Sequence, residues 1–185
     1  ATTNGIGKVV RAYPDVDTAW TSDVSTLAGY PTSLAEFEGD LYAGCQSSVS
    51  TGARIVKRTA STAAWTTQVT SASGAGGDGH YAGLFVYSSA IYAVEYFNGG
   101  TDVIHILRST DGTTWATDRD VDANDGSADE LPGQMVEYNS DLYVGFRSNT
   151  IAGTTGFVMR RTGGAWTKVV TDNLNGQLAV LVART

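Results

Sequence analysis

The chain has 185 residues, 42% of them hydrophobic, with 19 acidic against 12 basic side chains and a net charge of −7. That length buries a real core in one domain, and so acidic a surface excludes phosphate-backbone recognition, leaving no nucleic-acid partner. One cysteine, Cys45, excludes an intrachain disulfide framework and a cysteine zinc site, two histidines exclude a multi-histidine metal centre, and no apolar run is long enough for a membrane span. The sequence opens at Ala1 without methionine or signal-like flanks, as a processed product or excised domain would.

In chain order, residues 7–20 (GKVVRAYPDVDTAW) read as two strands closed at Trp20, followed by a loop over 25–33. Three similar units then follow. Their first blocks are LAEFEGDLYAGC from Leu34, LFVYSSAIYAVE from Leu84 and MVEYNSDLYVGF from Met135, at offsets of 50 and 51 residues. Their second blocks, RIVKRTASTAAW, HILRSTDGTTW and FVMRRTGGAW, end at Trp65, Trp115 and Trp166 with the same offsets. Two separate blocks agreeing on one period mark an internal repeat.

Each unit has the grammar of four short strands: an apolar run (34–38, 84–87, 135–138), a polar turn, a Leu-Tyr-Ala-Gly-like run, and, after a longer Gly/Ser/Thr/Asn loop, a hairpin ending in the Trp strand. No stretch carries a capped 3.6-residue apolar stripe. The expectation is all-β: a small β-propeller of about four blades, each a four-stranded antiparallel sheet, with a period of about 50 residues. As one domain over 1–185, its blades run 34–83, 84–134, 135–177, and 178–185 joined to 1–33. In that composite blade LAVLVART, from Leu178, supplies the inner strand, the N-terminal segment supplies the outer two, and a free sheet edge disappears. Part of a larger ring completed by other chains is the alternative.

Most conspicuous residues follow from the repeat alone. Trp20, Trp65, Trp115 and Trp166 are expected to pack between neighbouring sheets, with Tyr42, Tyr92 and Tyr143 as core. Arg11, Arg58, Arg108 and Arg160 are expected to lie across the aromatic layer and pair with turn carboxylates. Cys45 reads as a small buried hydrophobe and His105 as a packed strand residue.

Residues 109–115, Ser-Thr-Asp-Gly-Thr-Thr-Trp, resemble the Asp-box (BNR) repeat of sialidases and related propellers, with one residue fewer between Asp111 and Gly112. Ser109 and Asp111 are expected to cap the hairpin backbone, Gly112 to take a positive φ, and Trp115 to pack beneath. The unit length is also kelch-like, without the paired glycines. In the Asp-box family the motif is structural, and sialidase-like catalysis implies an arginine triad, a Tyr/Glu pair and an acid on the inner strands. The inner strands expected here contain no arginine, and their carboxylates are Glu36, Glu38 and Glu137. Glu36 and Glu137 occupy aligned positions, expected on neighbouring inner strands, where they form either an acid/base pair or solvated lining groups.

The candidate site therefore lies in the long connections, which differ from unit to unit. Residues 71–83 carry Asp78, His80 and Tyr81, and residues 122–134 carry Asp122, Asp125, Asp129 and Glu130. No catalytic residue and no resident metal is assigned. Calcium is the one cofactor considered, because Asp122, Asn124 and Asp125 are spaced oxygen donors before Gly126, although the rest of an EF-hand loop is missing. The functional expectation is a non-enzymatic recognition module for a glycan or a protein surface. The alternatives are a structural or receptor-binding component of a virus or phage particle, and a degenerate sialidase-like glycosidase. A Thr/Ser/Gly-rich, lysine-poor chain suits an extracellular or virion setting and a homo-oligomer.

Overall fold

A computed structural model describes residues 6–11, 21–46, 53–59, 64–70, 78–98, 103–121, 130–148 and 156–170. Among them there is no helix. The strands are β1 (Ile6–Arg11), β2 (Thr21–Ala28), β3 (Tyr30–Phe37), β4 (Asp40–Gln46), β5 (Arg54–Arg58), β6 (Trp65–Thr70) and β7 (Asp78–Tyr87). They continue with β8 (Ala90–Asn98), β9 (Val103–Ser109), β10 (Ala116–Asp120), β11 (Glu130–Tyr138), β12 (Asp141–Ser148), β13 (Phe157–Thr162) and β14 (Ala165–Val170). β3–β6, β7–β10 and β11–β14 form three open four-stranded antiparallel sheets, each a simple meander, and β1 pairs with β2. The segment 178–185 lies outside the described residues.

Each first-to-second strand hairpin closes through two residues with positive φ: Glu38-Gly39, Ser88-Ser89 and Asn139-Ser140. Such turns match the right-handed strand twist. The second strands then run through the middle of the fold. In β8, Ala90 to Phe97 are all buried, because Tyr92, Val94 and Tyr96 face the third sheet while Ile91 and Ala93 face the first. Burial on both faces explains the continuous apolar run of this strand. Two clusters hold the sheets together. Phe37, Tyr42 and Ile55 meet Tyr81, Leu84, Ile91 and Leu107 between the first and second sheets. Tyr92, Val94 and Ile106 meet Met135, Leu142, Phe146, Phe157 and Met159 between the second and third.

The inner strands start four to six residues earlier than the sequence suggested, at Tyr30, Asp78 and Glu130. Residues 30–33, 78–83 and 130–134, expected as loop, are strand. Each contains one extra residue opposite its partner, between Pro31 and Ser33, Ala82 and Phe85, and Pro132 and Met135. These β-bulges accommodate the Pro and Gly residues that read as loop signals. They also bring the sheets together: the Thr32 hydroxyl lies against the Gly44 and Tyr81 carbonyls, and a Cβ on Gly83 would sit 3.2 Å from the Gly133 carbonyl oxygen.

A second bulge recurs three residues after each tryptophan, at Gln68, Asp118 and Val169. β1 and β2 carry it at Asp23, three residues after Trp20, so this pair repeats the third-to-fourth-strand hairpin. β2 begins after Trp20, at Thr21, rather than ending there. Trp20 itself lies outside the described residues.

The tryptophan expectation holds for Trp115 and Trp166. Trp166 is buried between the second and third sheets, and Trp115 packs against the first-to-second cluster. Trp65 packs on Ala43, Cys45 and Val56, the face of the first sheet turned away from the second. The arginine row needs one correction. Tyr42 is opposite Lys57, Tyr92 opposite Arg108 and Tyr143 opposite Arg160, so Lys57 rather than Arg58 occupies the first unit's position.

Candidate functional site

The repeated cations sit on the repeated tyrosines. Lys57 Nζ lies 5.8 Å from the Tyr42 ring centre and 3.0 Å from the Asp40 carboxylate. Arg108 Nε donates to the Tyr92 hydroxyl at 3.0 Å, and Arg160 lies 3.9 Å from Asp141. Arg161, from the third sheet, lies over the other side of the second-to-third contact, 5.4 Å from the Tyr92 ring, and donates to Asp118 at 2.8 Å. Asp118 also accepts the Trp166 indole N–H at 2.6 Å. The Asp118–Arg161–Trp166 group joins the second and third sheets, while the other cations pair within their own sheets.

The turn after β9 behaves as its residues demand. Asp111 Oδ1 accepts the Thr114 and Thr113 backbone N–H groups at 2.6 and 2.8 Å, and Ser109 Oγ at 3.0 Å. Those donors hold the Asp111 carboxyl well below the usual carboxylate range. Gly112 has φ +65° and lies against the Tyr42 hydroxyl of the first sheet, leaving no room for a side chain.

The second sheet carries one charged side chain that the sequence reading passed over. Glu95, in β8, is only 6% exposed. It accepts from the Tyr81 hydroxyl at 3.3 Å, and its other oxygen lies 3.1 Å from His105 Nδ1. The ladder pairs Tyr81 with Glu95, Glu95 with His105 and His105 with Asp120, so one row crosses all four strands. Burial first, and the Glu95 charge second, keep the Tyr81 phenol protonated far above its ordinary range. A lone carboxylate inside the apolar run Ala-Ile-Tyr-Ala-Val-Glu-Tyr-Phe, with a histidine on the next strand, was the available signal.

The expected ligand residues separate in three ways. Tyr81 is wholly buried, with its hydroxyl turned to Glu95. Asp78 and His80 stand on β7, opposite Asn98 and Tyr96, and Glu130 opens β11 opposite Ser148, all on strands rather than loops. The side chains of Asp78, His80 and Glu130 lie outside the described set, as do Asp122, Asp125 and Asp129 altogether. Glu36 and Glu137 are both exposed, but β7 lies between β3 and β11, and its equivalent position holds Val86. The aligned carboxylates therefore do not stand on neighbouring strands. Cys45 is buried, and burial pushes its thiol up to about 11 against the opposing pull of Arg54. Among the described residues no three His, Cys, Asp or Glu side chains gather as a metal site, and no helix is long and apolar enough to cross a membrane.

The topology sorts the connections. In each meander the first-to-second and third-to-fourth turns fall at one end, and the second-to-third and fourth-to-first connections at the other. The sheets stack with like ends together: Tyr87, at the end of β7, donates to the carbonyl of Ser140 in the equivalent turn of the third sheet at 2.6 Å. The longest connections among strands β3–β14, 47–53, 71–77, 121–129 and 149–156, thus leave from the same end.

No protein-family model matches this chain, and no curated protein sequence matches it.

Proposed function

We propose that this protein is a recognition module built on a small β-propeller of about four blades, of the Asp-box type. Three complete sheets and the β1–β2 pair supply its blades, with 178–185 as the inner strand of the composite one. Three observations support this architecture. The β1–β2 hairpin carries the bulge of an outer strand pair. β1 contacts β3. The Trp65 cluster lies on the face of the first sheet turned away from the second, where a preceding blade would sit.

The observation that carries the functional reading is the gathering of the long, unit-specific connections at one end of a rigid stack. Variable segments on a repeated scaffold present polar groups whose ordering cost is already met by folding. A glycan or a protein surface binds there through Asp78, His80, Asp122, Asp125, Asp129 and Glu130. The thiol is buried, and the tyrosine–cation pairs are engaged with each other on adjacent strands. An extracellular or virion setting follows from composition alone.

The test is a glycan-array screen with and without calcium, repeated with His80→Ala and with Asp122→Ala/Asp125→Ala/Asp129→Ala. Specific retention, lost in a variant whose melting temperature is unchanged, supports the reading, and calcium dependence assigns the ion to the acidic connection. Retention that survives both variants, or release of a cleaved sugar, overturns it.

A further inference from the structure

The Tyr81–Glu95–His105 row has no counterpart in the other sheets. The equivalent positions are Pro31, Cys45 and Arg54 in the first sheet, and Pro132, Phe146 and Phe157 in the third. It crosses the second sheet close to the end at which connections 71–77, 99–102 and 122–129 meet its strands. Tyr81 follows His80. Asp120 precedes 122–129, and between them the Val121 N–H donates to the Ile104 carbonyl, beside His105, at 2.9 Å. His105 and Glu95 flank the 99–102 connection on β9 and β8.

A carboxylate this deeply buried requires a counter-charge or a full set of donors. The Tyr81 hydroxyl gives one neutral donor. His105 gives a second, and it gives a positive charge only when its ring is doubly protonated. Other described groups face this row from the elements packed against it. Asp120 lies opposite His105 and is acidic. From the first sheet, β3 brings the Thr32 hydroxyl, β4 brings Gly44 against Tyr81, and β5 contributes Ile55 to the shared cluster. The titratable groups of that same cluster face, Tyr42 and Lys57, are engaged with Asp40 toward the short-turn end.

We propose that this row is a pH-sensitive tie at the base of the binding end. It is complete when Glu95 is ionised and His105 protonated, and it slackens as His105 loses its proton. The proposal rests on the reading of the long connections as the binding surface and adds its regulation. The sign follows from linkage: a histidine whose charged form gains a partner on folding contributes stability that is full in mild acid and fades as pH rises through its titration. Protonation of Glu95 in stronger acid removes the other half of the pair, and the tie is lost again.

The chain's two histidines, His80 and His105, make the experiment direct. Imidazole C–H resonances are followed against pH in the wild type, Glu95→Gln and His105→Gln. His105 is expected to titrate at least about one pH unit higher in the wild type than in Glu95→Gln, a tenfold change in proton affinity. His80 should shift by less. Amide exchange at Tyr81 and Val121, corrected for its intrinsic pH dependence, should accelerate about tenfold from mild acid to pH ~8 in the wild type and stay flat in His105→Gln. Equal His105 titrations in wild type and Glu95→Gln overturn the proposal, as does a pH dependence that persists in His105→Gln. Should Glu95→Gln fail to fold, the wild-type His105 titration against the free-imidazole value of ~6.5 and the His105→Gln exchange profile decide it. Neither readout uses a ligand, so a blank glycan array leaves the tie standing, and a flat titration leaves the binding reading standing.

Discussion

Asp118→Ala is expected to be among the costliest single polar substitutions in the described fold. The β10 bulge leaves Asp118 without a cross-strand partner and frees its side chain to reach the third sheet. There it accepts from the Trp166 indole at 2.6 Å and from the Arg161 guanidinium at 2.8 Å, with Arg161 and Asp118 only 13% and 17% exposed. Truncation removes one neutral and one charged donor's partner and leaves a largely buried cation over the Tyr92 ring. Charge-assisted bonds contribute about 1.5–3 kcal/mol and neutral ones about 1 kcal/mol, so the expected loss is about 3 kcal/mol. In a domain of this size each kcal/mol lowers the melting temperature by about 2–4 °C, giving about 6–12 °C. Asp118→Asn, which keeps an acceptor for one donor, should lose about half as much. Gln68 occupies the same bulge in the first sheet, where it bonds its own Thr66, and Gln68→Ala should cost less than ~0.5 kcal/mol. Urea unfolding of the three variants, at unchanged m-value, is the assay. An Asp118→Ala loss no larger than that of Gln68→Ala would refute the claim that this carboxylate clamps the second and third sheets.

Two further outcomes follow from the turn after β9. Gly112→Ala drives a methyl into the Tyr42 hydroxyl at a φ of +65°, and αL strain plus overpacking should cost about 2–4 kcal/mol. Adding Tyr42→Phe, which removes that oxygen, should restore about 1 kcal/mol or more in the same unfolding assay, and strict additivity of the two losses would refute the contact. Asp111 should remain ionised in acid where ordinary carboxylates near pH ~3.9 are already neutral. Because its folded carboxyl is depressed, the turn's contribution is present above that ordinary value and is lost only as pH falls through the lower, folded one. Thr113 and Thr114 amide shifts that move near pH ~4 in an NMR titration would contradict this.

The repeat made the second, third and fourth strands legible, because their apolar runs, two-residue turns and tryptophans recur at one spacing. The front halves of the inner strands were not. Pro31, Gly83 and Pro132-Gly133 are loop residues by composition, and only pairing shows that bulges accommodate them. Lys57 was hidden by its neighbour Arg58, a one-residue ambiguity that only cross-strand register resolves. Tyr81 looked like a loop residue for the same reason and proves to be interior. Glu95 differs from the charged candidate site residues in context: they lie in polar segments, whereas it sits inside an apolar one. The grouping of the long connections at one end was legible from the meander grammar, while contacts among their side chains depend on tertiary placement that no period encodes.

The bulge after each tryptophan has a bearing on folding fidelity. A strand that slips by one residue within its own sheet misplaces the extra residue, so the bulge guards register. It gives no such protection against exchange of equivalent strands between sheets, because every unit carries the same irregularity in the same place. Near-identical units in tandem are prone to that kind of misassembly. What distinguishes the three four-stranded sheets is the residue at the bulge: Gln68, Asp118 and Val169 are a self-bonded amide, a carboxylate matched to Arg161 and Trp166, and an apolar group. β10 seated where β6 or β14 belongs would strand its carboxylate without Arg161. Of these three positions Asp118 is the one shown reaching into another sheet, so it acts as an address label that tells β10 which neighbour it was made for.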